Sequence, residues 1–166
     1  MIVADLVAGD SVFLDSNILI YHFGPHPTLA LSCSQLVQRI ENKEIQGFTS
    51  SHVLGEVAHQ LMIMEASKQL SWTTGKVKRR LQRQRGVVAS LSLSSVAIGS
   101  VLQSQIQIVP LLPPVLGAAP SICQQYDLLI NDALIVALMQ ASGLTKIASH
   151  DGDFDRVAGI TRYSPI

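Results

Sequence analysis

Four carboxylates in this chain stand where a carboxylate is costly. Asp15 closes the apolar run of Val12, Phe13 and Leu14 in "SVFLDSNILIYHF" (11–23), and Asp151 closes a second short run in "TKIASHD" (145–151). Glu56 lies in "HVLGEVAHQL" beside Val53, Leu54 and Val57, and Asp132 falls at the start of the almost wholly apolar "NDALIVALMQASG" (131–143). An isolated buried carboxylate is expensive, so several that converge must hold protons or share a cation. An all-oxygen donor set selects a hard ion, Mg²⁺ or Mn²⁺, over zinc or copper. Acids around such an ion in a cleft suit phosphodiester hydrolysis, in which the metal activates water and neutralises charge developing on the phosphate. Taken singly, each acid also has a structural reading: Asp132 as favourable charge at a helix N-terminus, Asp15 as the anchor of a turn. Two strand-end acids with two helix acids in one domain favour the site. Without an ion, mutual repulsion is expected to raise at least one apparent pKa of the group, and metal binding is expected to weaken as pH falls.

Positioning such a group needs strands whose ends meet. Residues 12–14 read as a buried strand, with Ser16 and Asn17 as the turn that holds Asp15. The stretch 28–44 places Leu29, Cys33, Leu36, Val37 and Ile40 at helical spacing; "GFTSS" (47–51) reads as a short strand, and Ser50 or Ser51 starts a helix over 51–70. Residues 73–85 read as a solvated basic helix, 90–105 as a helix, 106–112 as a strand, and "PPVLGAAP" (113–120) as the most loop-like stretch. A helix beginning in "SICQQYDLL" turns into 131–143, with Asn131 as its N-cap and Gly143 as its stop, before a last strand over 145–151. Strands alternating with helices predict an α/β fold with a parallel sheet and helices on both faces. Ligands bind such sheets at the carboxyl ends of the strands, where Asp15 and Asp151 belong.

Composition narrows the function classes. The chain has 166 residues, the size of one domain over 1–166, and its formal net charge is zero. Charged residues make up 14% against about 25% in typical soluble domains, and hydrophobic residues 48%. That leaves apolar surface to spare and points to a homodimer or a protein partner, with a large core under a Ser- and Gln-rich surface as the alternative. Six of the twelve basic residues fall within 76–85, and no acid occurs between Glu65 and Asp127. Lys76, Arg79, Arg80 and Arg83 recur at helical spacing, as an RNA track or as an ordinary solvated face. Cys33 and Cys123 have no paired spacing and fit a reducing cytoplasm. The N-terminus lacks the pattern of a signal peptide, and runs such as "ALIVALM" are too short to span a bilayer, so a soluble protein without a membrane partner is expected. Trp72, Met62 and Met64 read as packing residues, and His22, His26, His52, His59 and His150 form no zinc spacing. There is no GxSxG elbow, phosphate-binding GxxxxGK[ST] or GxGxxG. A haloacid dehalogenase phosphatase needs an acid where Asn17 stands, and a response-regulator receiver needs an acidic pair that is missing.

The segments "VFLDSNILIYHF", "TSSHVLGEVAHQL", "LLINDALIVALMQ" and "IASHDGDFDRVAGI" resemble the PIN-domain ribonucleases, especially the VapC-type toxins of toxin–antitoxin pairs, in order and over nearly the whole chain. The resemblance implies a PIN-like three-layer fold and endonucleolytic cleavage of RNA dependent on Mg²⁺ or Mn²⁺, leaving a 5′-phosphate. By this likeness Asp15, Glu56, Asp132 and Asp151 match the family's acidic site and Asp153 an additional acid. Asp15, Asp132 and Asp151, with Asp153 at the edge, would bind metal, while Ser16, Asn17 and Ser149 match its small polar companions. It also implies an antitoxin protein as partner. A solitary RNA-processing enzyme and a catalytically silent PIN scaffold are the alternatives.

Overall fold

The computed structural model describes residues 1–71, 74–83 and 86–166, so the reading made for Trp72 and the ends of the basic helix read over 73–85 lie outside the described residues. Its strands are β1 (Ser11–Leu14), β2 (Gln46–Ser50), β3 (Gln107–Val109), β4 (Lys146–Ala148) and β5 (Thr161–Tyr163). They form one sheet in the order β3-β2-β1-β4-β5, with every adjacent pair parallel. The helices are α1 (Ser16–Phe23), α2 (Ala30–Glu41), α3 (Ser51–Gln69), α4 (Thr74–Arg83), α5 (Leu93–Gln103), α6 (Pro113–Tyr126) and α7 (Ile130–Ala141). The chain reaches β2 and then β3 through α1 to α5 and returns to β4 through α6 and α7; right-handed crossovers, the rule for parallel strands, put these two groups on opposite faces of the sheet. The contacts agree: α1 packs on α2 and α3, α3 on α5, and α6 on α7. Val12, Phe13 and Leu14 of β1 are fully buried between these layers, as a central parallel strand requires.

Local sequence explains most of these elements. Ser50 ends β2 and caps α3, its Oγ accepting the Val53 N–H at 3.2 Å. Gly47 sits in β2 because α2 leaves no room for more: a Cβ there would lie 2.6 Å from Cδ1 of Ile40. At the end of α7, Ser142 is the C-cap and Gly143 follows at φ +67°, the left-handed conformation that stops a helix. Among the described residues no single helix is long and apolar enough to cross a membrane.

Three expectations are corrected. Residues 113–120 are not a loop but the first half of α6, because Pro113 and Pro114 occupy the first turn, where a missing N–H costs no intrahelical bond. The N-cap of α7 is Leu129 rather than Asn131, which lies inside the first turn. Ser16 and Asn17 are not a free-standing turn; they open α1, with Asp15 as N-cap. The apolar run from Ile18 to Phe23 then turns one face inward, burying Ile18 and Leu19.

Candidate functional site

The strand order reverses between β1 and β4: one branch of the sheet runs from β1 through β2 to β3, the other from β4 to β5. In parallel sheets the crevice beyond the carboxyl ends of two such strands is the natural ligand position. Asp15 follows β1, and its backbone N–H continues the pairing by donating to the Ala148 carbonyl at 3.1 Å. Asp15 is only 6% exposed, yet among the described residues no basic group pairs with it. Hydrogen bonds hold it instead. Oδ1 accepts the Ser16 N–H at 2.6 Å, while Oδ2 accepts from the Asn17 amide and from the Ser149 hydroxyl at 2.6 Å.

Asn17 and Ser149 bind the two strand ends into one frame. The Asn17 side-chain amide also donates to Ser149 Oγ at 3.1 Å, and its Oδ1 accepts the His150 N–H at 3.0 Å. Ser149, fully buried, further accepts the Asp151 N–H at 2.9 Å. The small polar residues expected beside Asp15 therefore position both it and the segment carrying Asp151.

Three acids close on one another in front of this frame. Asp132, Asp151 and Asp153 each offer a carboxylate oxygen within 4.8 Å of the others. Asp132 comes from the first turn of α7; Asp151 caps a short 3-10 turn over Gly152–Arg156, accepting the Asp153 N–H at 2.9 Å. Asp15 and Glu56, the latter half-buried on α3, stand outside this trio, but their negative charges act on Asp132. A set of carboxylate oxygens fits a hard divalent cation and offers a softer metal nothing.

The electrostatics reflect the crowding of like charges. Burial raises the carboxyl of Asp132 to about 6, reinforced by the charges of Asp151, Asp15, Asp153 and Glu56. Burial likewise raises that of Asp15 against the hydrogen bonds from Ser149 and Ser16, and the charges of Glu56 and Asp151 add to the rise. Negative charge here is undercompensated, as the sequence leads one to expect where several carboxylates converge.

Two arginines that sequence reading passed over border the cluster. Arg156 reaches Asp153 at 2.6 Å and Asp127 at 3.4 Å. Arg162 of β5 forks onto Asp155 at 2.7 and 2.9 Å. The i,i+3 spacing of Asp153 and Arg156 was the available signal for the first. The basic stripe lies elsewhere. Lys76, Arg79, Arg80 and Arg83 lie on the exposed side of α4, whose Val77 is fully buried, and α4 packs on α3. From Glu56 to Gln69 the axis of α3 covers about 20 Å. No histidine belongs to the acidic trio. Burial pushes the Cys33 thiol up to about 12, and both cysteines are free.

Comparison with known proteins gives concordant results. The model of the PIN domain family matches residues 12–160. Ribonuclease VapC2 of Methanocaldococcus jannaschii is 34% identical over 148 residues, which cover 89% of each chain. Among solved structures, the sarcin–ricin loop cleaving toxin VapC20 of Mycobacterium tuberculosis superposes with a TM-score of 0.64 at 19% identity, covering 90% of this chain and 96% of its own. VapBC2 of Rickettsia felis, bound to a DNA fragment from its promoter, gives 0.59 at 16% identity, covering 93% of this chain and 98% of the matched one. At such identities these structural likenesses are likenesses of fold.

Proposed function

We propose, from the premise that this chain belongs to the PIN domain family, that it is an endoribonuclease hydrolysing RNA phosphodiester bonds with Mg²⁺ or Mn²⁺, and that it is the toxin of a toxin–antitoxin pair. The observation that carries the reading is the convergence of Asp132, Asp151 and Asp153 at the β1/β4 crevice with more negative charge than the nearby cations offset. These three residues would hold the ion. When bound, the ion supplies a polarised water and a counter-charge for the phosphate.

The chain's own residues do the rest. Asp15, fixed by Ser16, Asn17 and Ser149, presents negative charge from beneath and keeps the ends of β1 and β4 in register. Glu56 contributes a half-buried carboxylate from α3, suited to orient water or take its proton. Lys76, Arg79, Arg80 and Arg83 give α4 an exposed cationic face to track the RNA backbone. A protein partner is supported by the toxin–antitoxin complexes among the structural neighbours, one from Klebsiella pneumoniae. Exposed Leu112, Leu116, Leu129 and Ile130 on and beside α6 and α7 supply apolar surface for a homodimer or for that partner.

The test is cleavage of labelled RNA by the purified protein with Mg²⁺ or with EDTA, by wild type and by Asp15→Asn. Cleavage should require the ion, leave a 5′-phosphate and disappear in the variant. Cleavage that survives both EDTA and the substitution overturns the proposal. In the same assay, neutralising Lys76, Arg79 and Arg83 should lower RNA affinity and flatten its salt dependence; unchanged affinity would remove α4 from the reading.

A further inference from the structure

Arg162 lies outside the acidic trio, yet its guanidinium touches both ends of the segment that carries two of the three acids. Nε and Nη2 donate to the two carboxylate oxygens of Asp155 at 2.9 and 2.7 Å, and Nη1 donates to the Ser149 carbonyl at 3.3 Å. Asp151 and Asp153 lie between those two attachment points. The side chain is 19% exposed, while that of Asp155 is 57% exposed, so the fork is held on its inner side and reaches outward. The neighbouring residue of the same strand completes the hold, because the Tyr163 carbonyl accepts the Ser149 N–H at 3.0 Å. Both backbone groups of Ser149 are thereby fixed from β5, and Ser149 in turn orients Asp15 and Asp151. A planar guanidinium can make these three bonds together because its donors are set in a rigid fork; an ammonium presents a single nitrogen.

We infer that Arg162 is a positioning residue for the metal site, clasping the turn 149–155 at both ends so that Asp151 and Asp153 meet Asp132. The inference rests on the reading of the acidic site as a metal site. Its consequence runs against simple electrostatics. Arg162 is a cation near Asp151, so if it acted only through charge, removing it would tighten the binding of a divalent cation. If it acts by position, removing it loosens the ligands and weakens binding. Outer partners of metal ligands typically govern affinity by about 10- to 100-fold.

The experiment is calorimetric titration of Mn²⁺ and of Mg²⁺ into the full chain, with the thermal midpoint of each metal-free protein measured alongside. Arg162→Gln should weaken binding about 10-fold. Arg162→Lys keeps the charge and loses the fork, so it too should bind more weakly than wild type, and it carries the test if the glutamine variant does not fold. Affinity that is unchanged or tighter in these variants, even with a lowered thermal midpoint, overturns the inference and leaves a structural role alone. A wild-type protein that binds neither ion overturns the metal reading itself, and the inference with it.

Discussion

The strands β1 and β4 carry charged residues at both ends, and the two ends are treated in opposite ways. At the amino edge Asp10 precedes β1 and Lys146 opens β4; the two pair directly, and Asp10 also accepts the Val7 N–H at 3.0 Å. The Lys146 ammonium lowers the carboxyl of Asp10 below the usual carboxylate range. Nearby, Arg39 forks onto Glu44 at 2.6 and 2.9 Å and lowers its carboxyl as well. At the carboxyl edge Asp15 and Asp132 have raised carboxyls, and the cations that approach are taken by Asp153, Asp127 and Asp155 at the rim. The same sheet therefore settles its charge at one end and leaves it unsettled at the other. A paired acid serves the fold; a cluster in which Asp153 pairs with Arg156 while buried Asp15 and Asp132 have raised carboxyls is the kind of arrangement found at functional sites.

The largest test of that contrast is Asp132→Asn. Losing an outer partner of a metal ligand costs about 10- to 100-fold, so losing a ligand should reduce cleavage by at least about 100-fold. The same change relieves burial of a charge among like charges, so the metal-free variant should melt higher than wild type at pH 7. A variant that is inactive and less stable would deny the contrast, because Asp132 would then be holding the fold.

The second test uses pH. Between the ordinary Asp value of 3.8 and about 6, folded Asp132 keeps a proton that the unfolded chain has lost. Its contribution to metal-free stability therefore falls as pH rises through that window. Asp10, whose folded value is lowered, contributes in the other direction: its stabilisation is present above the unfolded value and lost as pH falls through the folded one. Thermal scans of metal-free Asp132→Asn and Asp10→Asn should differ from wild type with these opposite pH dependences. Divalent-ion affinity should fall as pH drops through about 6, since protons and metal compete for the same oxygens. Affinity independent of pH between 5 and 7 would contradict the raised value at Asp132.

The smallest effect is expected at the settled edge. Asp10→Asn at pH 7 should lower the thermal midpoint slightly and leave RNA cleavage unchanged, because the pair is partly exposed and far along the strands from the crevice. Loss of cleavage without loss of stability would show that the two edges are not separable.

Asp15 was legible in the sequence because a polar residue ending a short apolar run has few structural uses, and the strand pattern alone placed it at the sheet's carboxyl edge. Asp151 was legible for the same reason, and Asp132 because it opens an otherwise almost wholly apolar helix. The helix α1 was not. Ile18, Leu19, Ile20, Tyr21 and Phe23 form a near-continuous apolar run with no clear period, and tertiary packing together with the Asp15 cap decides its form. In α6 the opening prolines read as breakers when they are starters. The clasp of Arg162 on Asp155 and Ser149 had no signal at all, because neither hydrophobic pattern nor motif spacing records which arginine faces which carboxylate once β5 is in place.

The frame under the acids joins residues far apart along the chain. Asn17 bonds Ser149 across 132 positions, and Asp15 accepts from the same hydroxyl across 134. Strand β4, which leads into that hydroxyl at Ser149, is laid between β1 and β5. During synthesis, then, the first two-thirds of the polypeptide can assemble β1, β2 and β3 with their helices while Asp15 still lacks every group that β4 contributes. The proposed nuclease centre can be completed only after residues 146–163 have left the ribosome. If the proposed site is the active one, a chain that has not yet folded β4 and β5 is unarmed by topology alone.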